Sequence, residues 1–347
     1  MDRCIVPAAE LDFTSPGRRD YLVALPHDGI WGDHLIPLTV FVGPDAEPGR
    51  GLVAFGSTHG NEYEGPVAIK HLMGELDIAD VRGRIILVPV LNVAAFRAGA
   101  RDSVNDDGVN LNRAFVDNAG RTPSLGRITY RIADFVRTMI WPQVHVVIDL
   151  HAGGEVAQFA IGPSFHPIPD PEQNRRIELT ARWFGAPIVL VYQNETPGLL
   201  TSDAERLGKI TIGAELGYGR SIQPDGVRYA RHGIRAAAIQ CGQLRGEVTP
   251  IAHHRDGTQL KLSIVDRRCT VVAPFDGHYE PLKKPTDPVA AGETVGYLHD
   301  FQRLEQPAWP VRAQLAGRLA AQALGARVVQ GQHIAIVGEV LPWVAEG

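Results

Sequence analysis

The stretch GLVAFGSTHGNEYEGPVAIKHLMGEL, residues 51–76, passes from an apolar strand pattern through a turn into a helix pattern. Pro66 and apolar positions spaced by three and four predict a helix over 65–76. His59 and Glu62 stand three apart in the turn. They are either two ligands of a metal ion or two polar residues of a glycine-rich turn, and the rest of the chain must decide between these alternatives.

Apolar runs and helix-like periods continue on both sides of this stretch. Strand patterns occur at 21–26, 34–43, 83–92, 144–151, 186–192 and 209–217, and helix patterns at 128–141, 171–185 and 227–242. Strands that alternate with helices predict an α/β fold, with a mixed, mostly parallel sheet covered by helices on both faces. The pattern holds to about residue 250, so we predict one α/β domain over residues 1–250.

The last part of the chain, from about residue 268, consists of short β segments and turns. Two halves repeat one pattern, in which Ala273–Gly277 corresponds to Ala313–Gly317. The repeat resembles the biotinyl/lipoyl-type barrel, so we predict a small all-β, barrel-like domain over 251–347. A carrier would need a lysine in the hairpin between the halves, LHDFQRLEQPAWP, which has none. A cap on a neighbouring site or an oligomer contact fits better.

Composition excludes several classes of protein. The 347 residues are 44% hydrophobic and 21% charged, as in ordinary globular proteins, and the net charge of -5 argues against nucleic-acid binding. Cys4, Cys241 and Cys269 are too dispersed for a disulfide framework or a thiolate zinc site. No apolar run suits a signal peptide or a membrane span. We therefore expect a cytoplasmic protein with no membrane partner, and a homo-oligomer is left open.

A third ligand would turn His59 and Glu62 into a metal site. Catalytic zinc commonly takes two histidines and one carboxylate and keeps one position open. The third ligand should lie at the carboxyl end of another buried strand, where α/β sheets place their sites. In VHVVIDLHAGG, His151 ends such a strand and glycines follow at once. The combination favours one Zn²⁺ per chain.

Other polar residues could complete an active site. Glu215 ends the strand-like run KITIGAELG, where it is either a surface carboxylate or the base that deprotonates a water molecule on zinc. Asn112 and Arg113, in DGVNLNRAF, could hold a substrate carboxylate. Arg97 or Arg101 could polarise a scissile carbonyl.

Four motifs, HGNE, LNRAF, DLHAGG and AELG, occur in the order found in the zinc carboxypeptidase superfamily. The chain most resembles the succinylglutamate desuccinylase/aspartoacylase branch over residues 50–245, and its C-terminal β segment is also similar to that branch. Within the branch, NEYEGP, FRAG, DGVNLNRAF and HAGG look closest to the N-acetyl-diaminobutyrate deacetylases of ectoine breakdown.

By position, this resemblance implies three zinc ligands: His59, Glu62 and His151. It implies Glu215 as the general base and acid and Arg101 as the carbonyl polariser. Asn112 and Arg113 would hold the substrate carboxylate.

The chain departs from the pattern of many relatives at Asn110. Those relatives have an aspartate there that orients the first histidine ligand. An amide carries no charge, so its influence on the metal would be weaker. The candidate substitutes are Asp106, Asp107 and Asp149.

The expected function is zinc-dependent hydrolysis of an amide. The enzyme would remove a small acyl group, acetyl or similar, from the nitrogen of an amino-acid-like substrate with a free carboxylate. Alternatives are aspartoacylase or desuccinylase activity on dicarboxylic substrates, a metallocarboxypeptidase, and a non-catalytic metal-binding or regulatory protein. A cationic substrate amine could pair with Glu155 or Glu195.

Overall fold

The computed structural model describes residues 4–27, 31–116, 127–192, 196–249 and 259–343. Glu195 and the predicted domain boundary between residues 250 and 251 lie outside these ranges. The division of the chain into two domains therefore stays a prediction.

The first part of the chain alternates strands with helices. Its strands are β1 Cys4–Pro7, β2 Gly17–His27, β3 Gly32–Val42, β4 Gly51–Gly56, β5 Arg84–Val88, β6 Val144–His151, β7 Ala157–Phe159, β8 Gly162–Phe165, β9 Ile188–Val191, β10 Ile210–Glu215 and β11 Leu260–Ser263. Its helices are α1 Glu64–Glu75, α2 Val93–Ala98, α3 Ile128–Phe135, α4 Pro171–Trp183, α5 Leu200–Glu205 and α6 Pro224–Gln240.

The last part of the chain contains strands and turns. Its strands are β12 Thr270–Val272, β13 Gly277–Pro281, β14 Pro288–Val289, β15 Thr294–His299, β16 Trp309–Arg312, β17 Gly317–Ala323, β18 Arg327–Val328 and β19 His333–Leu341.

In the described ranges, one large mixed sheet has the strand order β1-β2-β3-β5-β4-β6-β10-β8-β9-β11-β19-β17-β14. Its centre, β5-β4-β6-β10, is parallel, whereas β2-β3-β5 and β10-β8 are antiparallel. A smaller antiparallel sheet has the order β16-β15-β13-β18. The mixed α/β fold predicted from the sequence is confirmed. Complete helical cover of both faces and barrel-like closure of the C-terminal strands stay predictions.

The central strands are buried on both sides. In β4, Leu52 and Ala54 belong to a hydrophobic cluster that includes α1, α4 and α6, whereas Val53 and Phe55 belong to a second cluster that includes α3. Alternate residues of a strand point to opposite faces, so the two clusters lie on opposite sides of the sheet. This double burial explains the continuous apolar runs and leaves polar residues to the strand ends.

Most predicted elements agree with the structure to within a few residues. The helix predicted over 128–141 is shorter, because α3 ends at Phe135 and a π-helical turn, Val136–Ile140, follows. Pro142, in the next 3₁₀ turn, has no amide hydrogen with which to continue an α-helix. Helices α2 and α5 have six residues each, too few to show a clear period, and the sequence did not assign them.

The internal repeat of the C-terminal part reappears in its strand pairing. Strands β12 to β15 correspond to β16 to β19, and Ala273 and Ala313 are both 2% exposed at equivalent positions. The pairings are exchanged between the halves: β13 pairs with β18 as β17 pairs with β14, and β12 pairs with β19 as β16 pairs with β15. The two halves are thus related by approximate twofold symmetry.

Among the described residues, no helix combines the length and apolar character needed to cross a bilayer. The cytoplasmic location and the oligomeric state stay predictions.

Candidate active site

The turn after β4 and the end of β6 bring the three predicted metal ligands together. His59 and Glu62 are 3% and 2% exposed, and His151 is half-buried at the last position of β6. One ligand atom from each of the three residues lies within 4.8 Å of the other two. The parallel pairing of β4 and β6 makes this possible, because it places both carboxyl ends at the same edge of the sheet.

The turn that carries His59 and Glu62 is closely packed. Ser57 adopts a φ of 53°, in the left-handed region. A Cβ on Gly60 would lie 2.0 Å from the carbonyl carbon of Ala95, so only glycine fits between the two ligands. The glycine-rich turn thus holds the ligands against α2.

Glu62 lies between the two histidines. Its Oε1 is 3.1 Å from His59 Nδ1, and its Oε2 is 3.0 Å from His151 Nδ1. The outer nitrogens have partners of their own: His59 Nε2 is 3.2 Å from Asn110 Oδ1, and His151 Nε2 is 2.8 Å from Asp149 Oδ2. Both rings therefore turn Nδ1 inward, toward one shared point.

The residue that orients His59 is Asn110 itself. Of the candidate substitutes, Asp149 contacts the other histidine, His151, and its second oxygen accepts a hydrogen bond of 2.7 Å from Thr58 Oγ1. The remaining candidates bond elsewhere, Asp106 to His27 and Asp107 to Thr129. One ring is thus held by a neutral amide and the other by a carboxylate.

The charges of this group depend on one another. Burial would raise the pKa of Glu62, but His59 and His151 outweigh it and hold that pKa below its usual range. Burial would lower the pKa of His151, but the carboxylates of Asp149 and Glu62 raise it well above the usual range. Glu62 therefore stays ionised between the two rings.

Glu215 stands beside this group, because β10 pairs in parallel with β6 and places Glu215 opposite His151. Its Oε1 accepts a hydrogen bond of 3.2 Å from the Tyr192 hydroxyl, and its buried Oε2 has no partner in the described ranges. Burial and the charge of Glu62 raise the pKa of Glu215 to about 7. A carboxyl group with this pKa exchanges protons readily near neutral pH.

A cavity of about 550 Å³ opens onto these residues. All seven site residues proposed from the sequence line it: His59, Glu62, Arg101, Asn112, Arg113, His151 and Glu215. Arg97, the alternative to Arg101, is exposed and is not among the lining residues.

Arg101 lies close to Glu62, and Asn112 lies close to His151. Arg101 Nη1 donates a hydrogen bond of 3.1 Å to Glu62 Oε1. Asn112 Oδ1 accepts one of 2.8 Å from the Leu200 amide, and its Nδ2 is 3.3 Å from His151 Nε2. His151 Nε2 also lies 2.8 Å from Asp149 Oδ2. A nitrogen that donates its hydrogen to this carboxylate cannot accept one from Asn112, so the N–H groups of Asn112 remain available to a ligand. Arg113 adjoins it and is exposed toward the cavity that it lines.

Several lining residues were given no role by the sequence, notably Tyr192 and Glu205. Both lie in YQNETPGLLTSDAERLG, residues 192–208, a segment in which the sequence analysis assigned a function to neither of them. Glu155, which was weighed as a partner for a substrate amine, pairs with Arg220 and is not among the lining residues. Glu205 ends a six-residue helix and has no spacing pattern in the sequence that would identify it as a cavity residue.

A second group of two histidines and one carboxylate lies outside the cavity wall. His27 Nε2 is 3.1 Å and His34 Nε2 is 3.6 Å from Asp106 Oδ1. Both nitrogens of His34 are buried without a hydrogen-bond partner among the described residues. Burial lowers the pKa of His34 despite the nearby Asp106.

Comparisons with known proteins agree with the motifs. Residues 48–239 match the model of the succinylglutamate desuccinylase/aspartoacylase catalytic domain. The chain is 33% identical over 340 residues to N-alpha-acetyl-L-2,4-diaminobutyric acid deacetylase of Halomonas elongata, with 96% of this chain and 95% of that protein covered.

Solved structures cover nearly the whole chain. The product-bound ectoine utilization protein EutE (DoeB) from Ruegeria pomeroyi is 30% identical with a TM-score of 0.85, covering 95% of this chain and 97% of that one. A succinylglutamate desuccinylase/aspartoacylase from Rhodobacter sphaeroides is 28% identical with a TM-score of 0.87, covering 96% and 98%. As its motifs predicted, the chain belongs to the succinylglutamate desuccinylase/aspartoacylase family.

Proposed function

We propose that the protein is a zinc-dependent amidohydrolase. It removes a small acyl group, acetyl or similar, from the nitrogen of an amino-acid-like substrate with a free carboxylate. The observation that carries this proposal is the position of Glu62 between the Nδ1 atoms of His59 and His151, with Glu215 on the neighbouring strand. The deacetylase name of the Halomonas elongata relative supports the reaction.

The donor set suits Zn²⁺. Two imidazole nitrogens and one carboxylate form a common ligand set for catalytic zinc. With metal–ligand bonds of about 2.0–2.1 Å, ligand atoms lie about 3.3 Å apart. Here one ligand atom from each residue lies within 4.8 Å of the other two, so modest side-chain shifts would bring all three onto one ion. His59, Glu62 and His151 would hold one ion per chain, and Asn110 and Asp149 would fix the rings.

Glu215 performs the proton transfers. When bound, Zn²⁺ supplies a Lewis acid that polarises a carbonyl and acidifies a water molecule. Glu215 takes a proton from the attacking water molecule, whose oxygen adds to the acyl carbon. Glu215 then gives that proton to the amide nitrogen, the C–N bond breaks, and a carboxylic acid and a free amine are released. Tyr192 holds the Glu215 carboxyl group in place through its hydroxyl.

The arginines and the amide orient the substrate. Arg101 lies within reach of Glu62 and would donate to the acyl oxygen as negative charge develops there. Arg113 and Asn112 line the same cavity and would bind the substrate carboxylate, since a guanidinium group matches its planar geometry.

We also infer that residues 1–250 form the catalytic domain and that residues 251–347 form a barrel-like, non-carrier domain that caps it. Strand β7 supports this arrangement. Ala157 and Phe159 line the cavity, and they pair with Ala323 and Ala321 of β17. The C-terminal part would thus hold one wall of the active site in place and limit the size of the substrate.

A second candidate is hydrolysis of dicarboxylic substrates, as in aspartoacylases and desuccinylases. The Rhodobacter sphaeroides structure, which carries those names, covers nearly the whole chain. Two arginines line the cavity and could bind two carboxylates.

The experiment is to measure the metal content of the purified protein together with amine release from N-acetyl and N-succinyl amino acids. About one zinc per chain and release that chelation abolishes would support the amidohydrolase, and the best substrate would decide between the two candidates. A protein that takes up no zinc when zinc is supplied would refute the proposal.

A further inference from the structure

The loop of residues 101–113 joins the proposed metal site to the proposed carboxylate-binding residues. It ends in the 3₁₀ turn Leu111–Arg113. Just before this turn, Asn110 Oδ1 lies 3.2 Å from His59 Nε2 and accepts a hydrogen bond of 2.9 Å from the Asn112 amide. The position of Asn110 therefore affects both a metal ligand and the turn that would bind the substrate carboxylate.

Asp107 fixes the backbone that leads to Asn110. Its Oδ1 accepts a hydrogen bond of 3.0 Å from the Val109 amide, which folds the chain into a turn. Gly108, between these two residues, has a φ of 68°, in the left-handed region that favours glycine. The Val109 carbonyl accepts a hydrogen bond of 3.3 Å from the Ser103 amide, which closes the loop. Asn110 thus extends from a turn that the Asp107 carboxylate holds.

The same carboxylate caps helix α3, which follows later in the chain. Arg127, the residue before α3, makes no side-chain hydrogen bond to its first turn. Instead, Asp107 Oδ2 accepts a hydrogen bond of 3.0 Å from the Thr129 amide, and its Oδ1 accepts one of 2.7 Å from the Thr129 hydroxyl. A carboxylate at this position satisfies an amide that has no partner within the helix, and the helix dipole favours its charge. Asp107 therefore ties the loop to α3.

Thr129 is a firm anchor for the carboxylate, because it belongs to a buried polar network. Thr129, Ser103 and Asn92 are all fully buried. The Thr129 hydroxyl lies 3.1 Å from Ser103 Oγ, which lies 3.2 Å from Asn92 Oδ1. Asn92 Oδ1 also accepts a hydrogen bond of 3.1 Å from the Ala95 amide at the start of α2. Losing a partner is costly for each buried group, so the network favours one arrangement.

We propose that Asp107 is a positioning residue: by joining the 101–113 loop to α3, it holds Asn110 Oδ1 against His59 Nε2. The proposal rests on the metal site of the proposed function and adds to that site a residue that does not line the cavity. The side chain of Asn110 is neutral, so its influence on the ligand depends on where its oxygen lies. A carboxylate that fixes the backbone of Asn110 thus acts on the metal site through geometry.

The test is a double-mutant cycle on zinc affinity, measured by competition with a chelator. Asn110→Ala and Asp107→Ala should each weaken the affinity by about 3- to 10-fold, less than the 10- to 100-fold typical of a lost outer partner. If Asp107 acts through Asn110, the double variant should bind zinc as Asn110→Ala does, because the same contact is already lost. Losses that multiply in the double variant would overturn the proposal, as would unchanged affinity in Asp107→Ala.

Two variants of Thr129 test the same link if Asp107→Ala folds poorly. Thr129→Val keeps the shape of the side chain and removes the hydroxyl, so Asp107 loses one of its hydrogen bonds. Zinc affinity should fall by about 2- to 5-fold. Thr129→Ser keeps the hydroxyl and should bind zinc as wild type does. Equal affinities of the valine and serine variants would contradict the proposal.

Asp170→Ala is the matched control for a lost helix cap. The Asp170 side chain accepts a hydrogen bond of 2.7 Å from the Gln173 amide at the start of α4, and Asp170 does not line the cavity. This variant should lose stability, as expected for a lost cap, and keep the zinc affinity of wild type. A loss of affinity as large as in Asp107→Ala would mean that Asp107 acts only through overall stability.

Hydrogen exchange separates this proposal from the function on which it rests. In the zinc-free protein, a peptide of residues 110–116 should exchange about 10-fold faster in Asp107→Ala than in wild type, because the Asn112 amide loses its partner when Asn110 moves. Strand β6 should be unchanged. If wild type takes up no zinc, the hydrolase function fails, and faster exchange in 110–116 leaves the role of Asp107 standing. Unchanged exchange there would overturn that role whatever the metal content.

Discussion

Two groups in this protein have the same composition, two histidines and one carboxylate, but very different surroundings. In the group of His59, Glu62 and His151, the carboxylate lies between the inner nitrogens, and the outer nitrogens have partners. In the group of His27, His34 and Asp106, the two nitrogens of His34 have no hydrogen-bond partner among the described residues. The first group lines the cavity, and the second does not.

The difference teaches that ligand type alone does not make a catalytic metal site. A catalytic site needs rings fixed by outer partners and an open side for the substrate. Asn110 and Asp149 supply the first condition for the His59 group, and the cavity supplies the second. The pKa values of the histidines in the two groups shift in opposite directions. Neighbouring carboxylates raise the pKa of His151, whereas burial lowers the pKa of His34.

The largest expected effect is on metal binding by His151→Ala compared with His34→Ala. Removing His151 should abolish stoichiometric zinc binding, because two ligands and water do not replace a three-residue site. Removing His34 should leave zinc content at one per chain. Metal analysis of both proteins after dialysis checks this, and the reverse pattern would assign the ion to the second group.

Glu215→Gln should lose turnover by roughly 10²- to 10⁴-fold, the usual contribution of a general base, while zinc content stays unchanged. Glutamine keeps the shape of the side chain but cannot take up the proton. Steady-state kinetics with metal analysis on the same sample tests this prediction. Activity comparable to wild type would remove Glu215 from the proposed role.

Asp149→Asn should weaken zinc affinity by about 10- to 100-fold, since it removes the charged partner of a ligand histidine. Asn110→Ala should have a smaller effect, because the contact that it removes is neutral. Asp106→Asn, the matched change in the second group, should have none. Competition with a chelator gives the three affinities, and equal effects of Asp149→Asn and Asp106→Asn would contradict the comparison.

The smallest effect concerns the stability of the metal-free protein. The pKa of Glu215 rises from 4.5 to about 7 on folding. Between these values the folded state keeps a proton that the unfolded state has released, so stability falls as pH rises through this window and levels off above it. Glu215→Gln should remove this decrease in the free energy of unfolding, which is on the order of 2 kcal/mol between pH 5 and 7. Urea unfolding of both chelated proteins checks it, and parallel pH profiles would refute it.

The sequence predicted several residues that line the cavity but did not predict Glu205, which lines it as well. His59, Glu62, His151 and Glu215 could be located because each ends or closely follows a buried strand, and parallel strands gather such residues at one edge. Glu205 could not, because its place in the cavity depends on how a six-residue helix packs against β10.

The outer partners were predicted only in part, for a similar reason. Asp149 was considered as the orienter of His59, but in β6 it stands two residues before His151 and contacts that ring instead. Which ring a carboxylate reaches depends on side-chain direction, and sequence spacing does not fix it.

The most direct test of the central claim is a crystal structure of the zinc-loaded protein with anomalous data collected at the zinc edge. The proposal predicts one anomalous peak per chain, about 2.0–2.2 Å from Nδ1 of His59, a carboxylate oxygen of Glu62 and Nδ1 of His151. A peak between His27, His34 and Asp106 with none at His59 would contradict it, as would the absence of any peak in crystals soaked with zinc.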